Sequence, residues 1–394
     1  DLLAADTQNP PGETAALTAR VAEEFADLGL ATETVAVDPA KPNLLARLPG
    51  ASDAVLCFNG HLDTVPYDAA DWSRDPLGER EGDRLYGRGA TDMKGAVAAM
   101  LATARAYVAT DTTPPVTLLF ALVSDEETGG DAGLPALLAG DHLDADACVI
   151  GEPTCERGRH SVTVADRGSI WLTLAAEGVA AHGSRPMLGE NAIDRLYEAI
   201  ETLRERFGRG PLDLDADVAA VVEESVAYYA PVVGEDAARR LFAYPSINLG
   251  TIEGGDAINT VPRAARAEVD VRLTAGVETS DVLADIRACA DACEGVHLAE
   301  VSWSVGSLTP MDHPLPAAVA SVAGEVTGDR IYRRSATGGG DAKDLRHAGI
   351  PTVEFALSTD TAHAVDEYTT VDLLRDNAAI YAGLPAAFAE RIGD

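Results

Sequence analysis

Three apolar runs in this chain each end directly in a cluster of polar residues, and this arrangement most constrains the fold. Residues 55–59, 116–123 and 145–150 have the length and composition of buried strands, and residues 14–28 and 93–108 have the spacing of helices. Strands that alternate with helices are typical of an α/β layer with a mainly parallel sheet. Ligands of such sheets bind beyond the carboxyl ends of the strands, which is where the polar clusters lie.

The pattern changes near Gly168. Strands are predicted at 169–176, 246–252, 267–273 and 297–305, and helices at 191–207 and 280–292. Their order, β-α-β-β-α-β, is that of a ferredoxin-like unit. We therefore expect a discontinuous α/β domain (1–167 and 307–394) into which a smaller α+β domain (168–306) is inserted. The pattern does not define the structure of residues 209–244.

The balance of charge limits the partners of the chain. It has 64 acidic and 30 basic residues, a formal net charge of −34, and 46% hydrophobic residues. Such a charge argues against a nucleic acid or an anionic membrane as partner, and no apolar run approaches the roughly 18 residues of a membrane span. Because salt screens surface charge, an acidic, lysine-poor surface around an ordinary core predicts a halophilic protein.

The five cysteines follow no pattern typical of a disulfide framework or a zinc site. Cys289 and Cys293 are four residues apart on a predicted helix, but no further Cys or His lies nearby to complete a metal site. An odd number of cysteines without such a pattern indicates a reducing compartment, and hence the cytoplasm.

Five side chains that could bind metal ions lie at the ends of predicted strands or the starts of helices. They are His61, Asp92, Glu127, Glu152 and His363. Each alone could be a packed or solvated residue, and Asp92 stands where a helix N-cap is expected. Together they provide one imidazole and one carboxylate for each of two zinc-type ions, with one carboxylate left to bridge them. The set predicts a two-metal centre, in which ions lie about 3.5–4 Å apart.

Six motifs, in the same order along the chain, resemble those of the M20 metallopeptidase family. They are Gly60-His61-Leu62-Asp63, Gly87-Arg88-Gly89-Ala90-Thr91-Asp92-Met93-Lys94-Gly95, Asp125-Glu126-Glu127-Thr128-Gly129, Gly151-Glu152-Pro153-Thr154, Ala181-His182-Gly183-Ser184-Arg185-Pro186 and Ala362-His363. The resemblance extends from about residue 9 to residue 390. The family includes acetylornithine deacetylase, succinyl-diaminopimelate desuccinylase, aminoacylases and carboxypeptidases.

The resemblance implies a role for each of the five ligands. His61 and Glu152 would bind one ion and Glu127 and His363 the other, while Asp92 would bridge the two. The implied cofactors are therefore two divalent ions, with Zn²⁺ expected first and Co²⁺ as an alternative.

The resemblance also implies roles for residues that do not bind metal. Asp63 would orient His61. Glu126 would be the general base that takes a proton from the water that the metals activate and passes it to the leaving amine. His182, in the inserted domain, would stabilise the oxyanion, often at the site of a partner subunit. A homodimer through the inserted domain is expected for this reason.

Substrate-binding positions follow from the same resemblance. They are Asn259, Arg272, and the glycine-rich loop of Gly338, Gly339 and Gly340. Arg272 could hold a substrate carboxylate with two hydrogen bonds, and glycines allow the backbone to approach a ligand closely. The sequence lacks a strand–Gly-x-Gly-x-x-Gly–helix unit and a Gly-Lys-Ser/Thr phosphate loop, which argues against nucleotide binding.

The predicted function is hydrolysis of the amide bond of a small N-acyl amino acid. Ser184-Arg185-Pro186 and Gly189-Glu190-Asn191-Ala192-Ile193 most resemble the desuccinylase and deacetylase branch, which serves amino-acid biosynthesis. A dipeptidase or carboxypeptidase of the same family, which would release an amino acid, is the alternative within the hydrolases. A protein that binds metal and an amino acid without catalysis is a remote alternative, since the base and every ligand are present.

Overall fold

The computed structural model describes residues 1–393, which form two compact units. Unit 1 consists of Asp1–Val164, Thr309–Arg334 and the chain from Gly340 onward, and unit 2 consists of Ala165–Leu308 and Ser335–Gly339. The sequence did not predict that the short segment Ser335–Gly339 belongs to unit 2.

Unit 1 is built on an eight-stranded sheet. Its strands, numbered in chain order and given in spatial order, are β1 (Ala31–Val35), β2 (Asn43–Leu48), β6 (Thr117–Val123), β3 (Val55–His61), β7 (Ala147–Ile150), β14 (Thr352–Glu354), β8 (His160–Ala165) and β13 (Ile331–Ser335). The central strands β6, β3, β7 and β14 are parallel. Strand β1 is antiparallel to β2, β2 to β6, and β8 to β14. The predicted α/β class is confirmed.

The other elements of unit 1 surround this sheet. The helices are α1 (Ala15–Asp27), α2 (Lys94–Ala109), α3 (Leu134–Ala139), α8 (Pro314–Thr327), α9 (Asp341–His347) and α10 (Val371–Gly393), and β4 (Glu79–Glu81), β5 (Arg84–Tyr86) and β15 (Tyr368–Thr370) form a small sheet. Phe58 and Phe120 are register neighbours on β3 and β6, with ring centroids 5.7 Å apart. Phe25 of α1 and Tyr381 of α10 pack on this pair. Both strands are buried along their whole length, which explains their unbroken apolar sequences.

The start of α2 differs from the sequence prediction. The helix begins at Lys94 with Met93 at the N-cap position, and no side chain caps it. Asp92 therefore does not cap the helix. Its carboxylate faces two imidazoles instead. The N-cap position that the preference of aspartate predicted for Asp92 is therefore wrong.

Unit 2 contains a four-stranded antiparallel sheet. Its spatial order is β10 (Ser246–Gly254), β11 (Ala264–Leu273), β9 (Gly168–Glu177) and β12 (Val296–Ser304). Helices α4 (Ala192–Gly208) and α7 (Thr279–Asp291) contact this sheet and share its buried core. This is the ferredoxin-like arrangement that the sequence predicted. The helix α4 begins after Asn191, whose side-chain oxygen accepts hydrogen bonds from the N–H groups of Ile193 and Asp194.

The segment 209–244, which the sequence pattern left undefined, contains two helices of unit 2. They are α5 (Ala216–Val233) and α6 (Glu235–Ala243), and their apolar faces form a second small core around Val222, Val226 and Phe242. Among the helices of residues 1–393, none has both the length and the apolar character that crossing a membrane requires.

Candidate metal centre

Unit 1 brings the five predicted ligands together as two groups that share Asp92. Within each group, one ligand atom from every residue lies within 4.8 Å of the others. Nε2 of His61 lies 3.1 Å from Oδ1 of Asp92 and 3.4 Å from Oε1 of Glu152. Nε2 of His363 lies 3.1 Å from Oδ2 of Asp92 and 3.3 Å from Oε2 of Glu127. Each oxygen of Asp92 thus faces a different imidazole, which is the arrangement of a bridging carboxylate.

The sheet explains why residues so distant in sequence meet. His61 is the last residue of β3, Glu152 follows the end of β7 by two residues, and Glu127 follows the end of β6 by four. Strand β3 lies between β6 and β7 and is parallel to both, so the three carboxyl ends meet at one edge. Asp92 comes just before α2, and His363 lies in the loop between β14 and β15.

Asp63 contacts His61 through its backbone and not through its carboxylate. Nδ1 of His61 lies 2.9 Å from the carbonyl oxygen of Asp63 but 3.7 Å from its nearer carboxylate oxygen. Donation from Nδ1 to this carbonyl places the proton of a neutral imidazole on Nδ1 and leaves Nε2 as the atom that can bind a metal. The carboxylate of Asp63 accepts hydrogen bonds from the N–H groups of Glu126, at 3.3 Å, and Glu127, at 3.2 Å.

A sharp bend at Asp125 directs the two following glutamates differently. Asp125 has a φ of +68°, in the left-handed region that a residue with a side chain seldom adopts. Its carboxylate accepts hydrogen bonds from Nδ2 of Asn9 at 2.9 Å and from the ammonium of Lys41, and these contacts hold the bend. Oε1 of Glu127 accepts from the N–H of Val65 while its Oε2 faces His363.

Glu126 lies beside Gly340. A Cβ atom on Gly340 would come within 3.1 Å of Oε1 of Glu126, so glycine leaves room for this carboxylate. Burial raises the pKa of Glu126 to about 7; the charge of His61 opposes the rise, and the negative charges of Glu127 and Asp92 add to it. A carboxylate with a pKa near neutrality can both accept and release a proton at pH 7.

The carboxylates of the centre outnumber its imidazoles. Burial raises the pKa of Glu152, and the charge of Asp92 adds to the rise. Burial alone would also raise the pKa of Asp92, but hydrogen bonds from His363 and His61 outweigh it and hold this pKa below its usual range. Hydrogen bonds to Asp92 and then to Glu127 raise the pKa of His363 to about 10. The raised pKa values of Glu126 and Glu152 show that placing several negative charges together away from water is unfavourable.

The donor atoms suit divalent cations. Buried carboxylates need positive charge to compensate them, and imidazole nitrogen with carboxylate oxygen is a ligand set that zinc-type ions accept. His61, Asp92 and Glu152 would hold one such ion, and Asp92, Glu127 and His363 the other.

Several predicted site residues lie in unit 2. Nδ1 of His182 accepts a hydrogen bond from the N–H of Ser184 at 3.2 Å and lies 2.8 Å from the hydroxyl of Ser184. His182 pairs in an isolated bridge with Thr260, and the N–H of Gly183 donates to the carbonyl oxygen of Asn259 at 2.6 Å. The predicted residues His182 and Asn259 are therefore neighbours within unit 2.

The other predicted substrate-binding residues have different surroundings. Arg272, on β11, is paired through its Nε with the carboxylate of Asp270 at 2.9 Å, and its guanidinium lies 5.9 Å from the ring centroid of Trp171. In the glycine-rich loop, Gly338 and Gly339 are exposed and belong to unit 2, whereas Gly340 belongs to unit 1 beside Glu126.

Sequence reasoning missed three residues that support the centre. Asn9 donates from Nδ2 to Asp63 at 2.8 Å, in addition to its bond with Asp125. Arg88 and Glu367 form a buried ion pair at 2.7 Å. Arg88 lies inside one of the six motifs, which was a usable signal, whereas Glu367 is one of 64 acidic residues and follows His363 by four positions.

Comparisons with known proteins identify the family of the chain. Residues 57–387 match the model of peptidase family M20/M25/M40. Succinyl-diaminopimelate desuccinylase of Methylocella silvestris is 31% identical over 383 residues, covering 92% of this chain and 90% of the relative. The enzyme of that name from Dinoroseobacter shibae is 34% identical over 337 residues, covering 82% of this chain and 81% of the relative.

The fold has a solved counterpart. The M20 family metallo-carboxypeptidase of Sulfolobus solfataricus superimposes with a TM-score of 0.75 at 20% identity, covering 99% of this chain and 98% of the other. The family that the six motifs predicted is confirmed. The family match covers most of the chain, and the relatives align over most of their length. The chain therefore belongs to peptidase family M20/M25/M40 and is a metal-dependent hydrolase of that family.

Proposed function

We propose that this protein is a two-metal amidohydrolase that removes the acyl group from a small N-acyl amino acid, with N-succinyl-diaminopimelate as the first candidate substrate. The observation that carries the proposal is Asp92, whose two oxygens each face an imidazole at 3.1 Å. The names of the relatives support the substrate class, because the aligned desuccinylases are more than 30% identical over most of the chain.

Within this reaction, Glu126 moves the proton. Two divalent cations bound at the centre would polarise the scissile carbonyl and lower the pKa of water. Glu126 lies next to the ligand Glu127 and directly after the bend at Asp125, and its backbone N–H donates to the carboxylate of Asp63. It takes the proton of the attacking water on a carboxylate oxygen and returns that proton to the nitrogen of the leaving amine. The C–N bond breaks, and the products are a carboxylate and a free amine.

We assign to His182 the donation of a hydrogen bond to the oxyanion. Because the N–H of Ser184 donates to Nδ1 of His182, this nitrogen accepts, and the proton of a neutral imidazole lies on Nε2. A neutral donor of this kind stabilises negative charge that develops on the carbonyl oxygen. We also infer that Asn259, the neighbour of His182, together with Arg272 and the loop Gly338–Gly340, binds the polar ends of the substrate.

Four further features belong to the same proposal. We infer Zn²⁺ or Co²⁺ as the metal from the ligand set, and a homodimer through the inserted domain from the family resemblance. We infer a reducing compartment, the cytoplasm, because all five cysteines are free. The net charge of −34 supports a halophilic protein. Metal analysis tests the identity of the ions, and sedimentation tests the homodimer. The location of the protein in fractionated cells tests the compartment. Unfolding midpoints measured from dilute to molar salt test the halophilic character.

A panel of substrates tests the reaction. Release of free amine from N-succinyl-diaminopimelate, N-acetylornithine and several dipeptides is measured with added Zn²⁺ or Co²⁺. We expect the highest kcat/KM for an N-acyl amino acid. A preference for dipeptides would instead identify a dipeptidase or carboxypeptidase, and cleavage of none of them would contradict the proposal.

The variant Glu126→Gln tests the mechanism. The amide keeps the size of the side chain but cannot accept the proton, so kcat is expected to fall by about 10²–10⁴-fold. The bound metal is expected to stay the same, because Glu126 is not one of the ligands. Asp131→Asn, an exposed acid in the same loop, is the matched control and should leave kcat unchanged. Unchanged amide cleavage in Glu126→Gln would exclude Glu126 as the base.

A further inference from the structure

The carboxylate of Glu367 holds the turn that precedes the bridging residue. Its Oε1 accepts hydrogen bonds from the N–H groups of Thr91 at 2.7 Å and Asp92 at 3.0 Å. Its Oε2 accepts from the N–H of Gly89 at 3.1 Å and from Nη1 of Arg88 at 2.7 Å. Four donors converge on one carboxylate that is completely buried. A carboxylate satisfied in this way fixes the backbone around it, because each donor would be costly to leave unpaired.

Arg88 connects this turn to the second imidazole. While Nη1 of its guanidinium pairs with Glu367, Nη2 donates to the carbonyl oxygen of His363 at 3.4 Å. The guanidinium also lies over the ring of Trp72, 5.3 Å from its centroid. The planar fork of arginine makes both contacts at once, which the single ammonium of a lysine does less well.

The loop of His363 needs such support. His363 has a φ of +61°, and Asp366 has a φ of +56°. Backbone in this region costs of order 1–3 kcal/mol per residue without glycine and persists only where surrounding contacts impose it. Glu367 directly follows Asp366, and its own carbonyl oxygen accepts from the N–H of Gly87 at 2.9 Å.

We propose that Glu367 and Arg88 are positioning residues of the metal centre, which hold the bridging carboxylate of Asp92 and the imidazole of His363 at a fixed separation. Neither residue is in a ligand group. They act through the backbone of residues 89–92 and through the carbonyl oxygen of His363. The inference rests on the proposed function, since it concerns the same two ions.

The variant Glu367→Gln tests the inference. Glutamine has the same size, but its NH₂ group cannot accept a hydrogen bond. It would therefore face N–H donors that one of the carboxylate oxygens of Glu367 accepts from. We expect the dissociation constant for Zn²⁺ to rise about 10–100-fold, as is typical when a residue that orients ligands is changed. The absorption spectrum of bound Co²⁺ is expected to change as well, because the geometry at Asp92 is altered.

Glu79→Gln is the matched control. Glu79 also pairs with an arginine, Arg74, at 2.8 Å, but it contacts no residue of the centre. Its Zn²⁺ affinity and Co²⁺ spectrum are expected to equal those of the unchanged protein. Far-ultraviolet circular dichroism shows whether each variant is folded at the temperature of the titration.

The outcomes separate this inference from the proposed function. A folded Glu367→Gln protein that binds Zn²⁺ as tightly as the unchanged protein, with the same Co²⁺ spectrum, would overturn the inference and leave the function intact. If the protein without substitutions binds two Zn²⁺ ions but cleaves no amide substrate, that result would contradict the proposed function and leave the inference about Glu367 and Arg88 untouched.

A second variant decides the question if Glu367→Gln does not fold. Arg88→Lys keeps the charge beside Glu367 but loses the fork that also reaches His363. We expect Arg88→Lys to lower the affinity for one of the two Zn²⁺ ions severalfold or more, and the affinity for the other ion less. Equal affinities for both ions in Arg88→Lys and in the unchanged protein would overturn the inference.

Discussion

The imidazoles of the two halves of the candidate metal centre differ in their exposure to solvent and in the structure that supports them. The side chain of His61 is 2% exposed, whereas that of His363 is 53% exposed. His61 ends the central strand β3 and is oriented by the carbonyl oxygen of Asp63. His363 lies in a loop with a φ of +61°. One half is therefore part of the sheet, and the other depends on contacts between loops.

This difference predicts that the two ions bind unequally. Charged and polar contacts are stronger where water is excluded, and a ligand held by a rigid strand loses little freedom when a metal binds. The half of His61 and Glu152 should therefore bind its ion more tightly. The half of Glu127 and His363 should exchange its ion more readily, which makes it the part of the centre most sensitive to changes in the surrounding loops.

The largest expected effect separates His61→Ala from His363→Ala. Loss of His61 leaves Glu152 and Asp92 without their shared partner. We expect the tighter Zn²⁺ ion to be lost, with affinity reduced by more than the roughly 10–100-fold that is typical when a residue that only orients a ligand is changed. Loss of His363 should remove the weaker ion and leave the tighter one bound. Both variants should lose amide cleavage. Titration with Zn²⁺ and metal analysis after dialysis measure the two affinities.

His142→Ala is the control for this pair. His142 lies 3.2 Å from Glu33 and is in neither ligand group, so its loss should not change the bound metal. Equal losses of Zn²⁺ in His61→Ala and His363→Ala would show that burial does not distinguish the halves. If the ion that remains in His61→Ala binds more tightly than the ion that remains in His363→Ala, the tighter site is that of Glu127 and His363.

The His61 half was also the easier one to predict from sequence. His61 ends one apolar strand and Glu152 lies two residues after another, and parallel strands bring such residues to one edge of the sheet. The pattern of the strands is local, so one sequence suffices to identify it. Asp92, by contrast, was also expected as an N-cap, because aspartate is one of the residues preferred at that position.

The support of the other half could not be predicted, because it depends on contacts distant in sequence. Glu367 binds donors that lie more than 270 positions earlier in the chain. Nothing near Glu367 in sequence distinguishes it from the many acids of the surface. That Asp63 orients His61 was predicted without naming the group that does so, since sequence does not reveal whether a backbone or a side-chain oxygen is nearer.

The smaller expected effect concerns Asn9. Its Nδ2 donates to the carboxylates of Asp63 and Asp125, both buried. Asn9→Ala leaves each of them without one donor, so the free energy of unfolding should fall by about 1–3 kcal/mol. The carboxylate of Asp63 accepts from the backbone N–H groups of Glu126 and Glu127. Binding of Zn²⁺ in the half of Glu127 and His363 should therefore weaken more than binding of Zn²⁺ in the half of His61.

Glu13→Ala, an exposed residue close to Asn9 in the chain, serves as the control and should change neither quantity by a measurable amount. Denaturant unfolding gives the stability, and Zn²⁺ titration of the folded variant gives the two affinities. Asp63 also contacts His61 through its carbonyl oxygen, so the loss of Asn9 has a route to both halves. If Asn9→Ala lowers the affinity for both Zn²⁺ ions equally, the contacts of Asn9 with Asp63 stabilise both halves of the centre. The half of His61 and Glu152 would then depend on the loops as much as the half of Glu127 and His363 does.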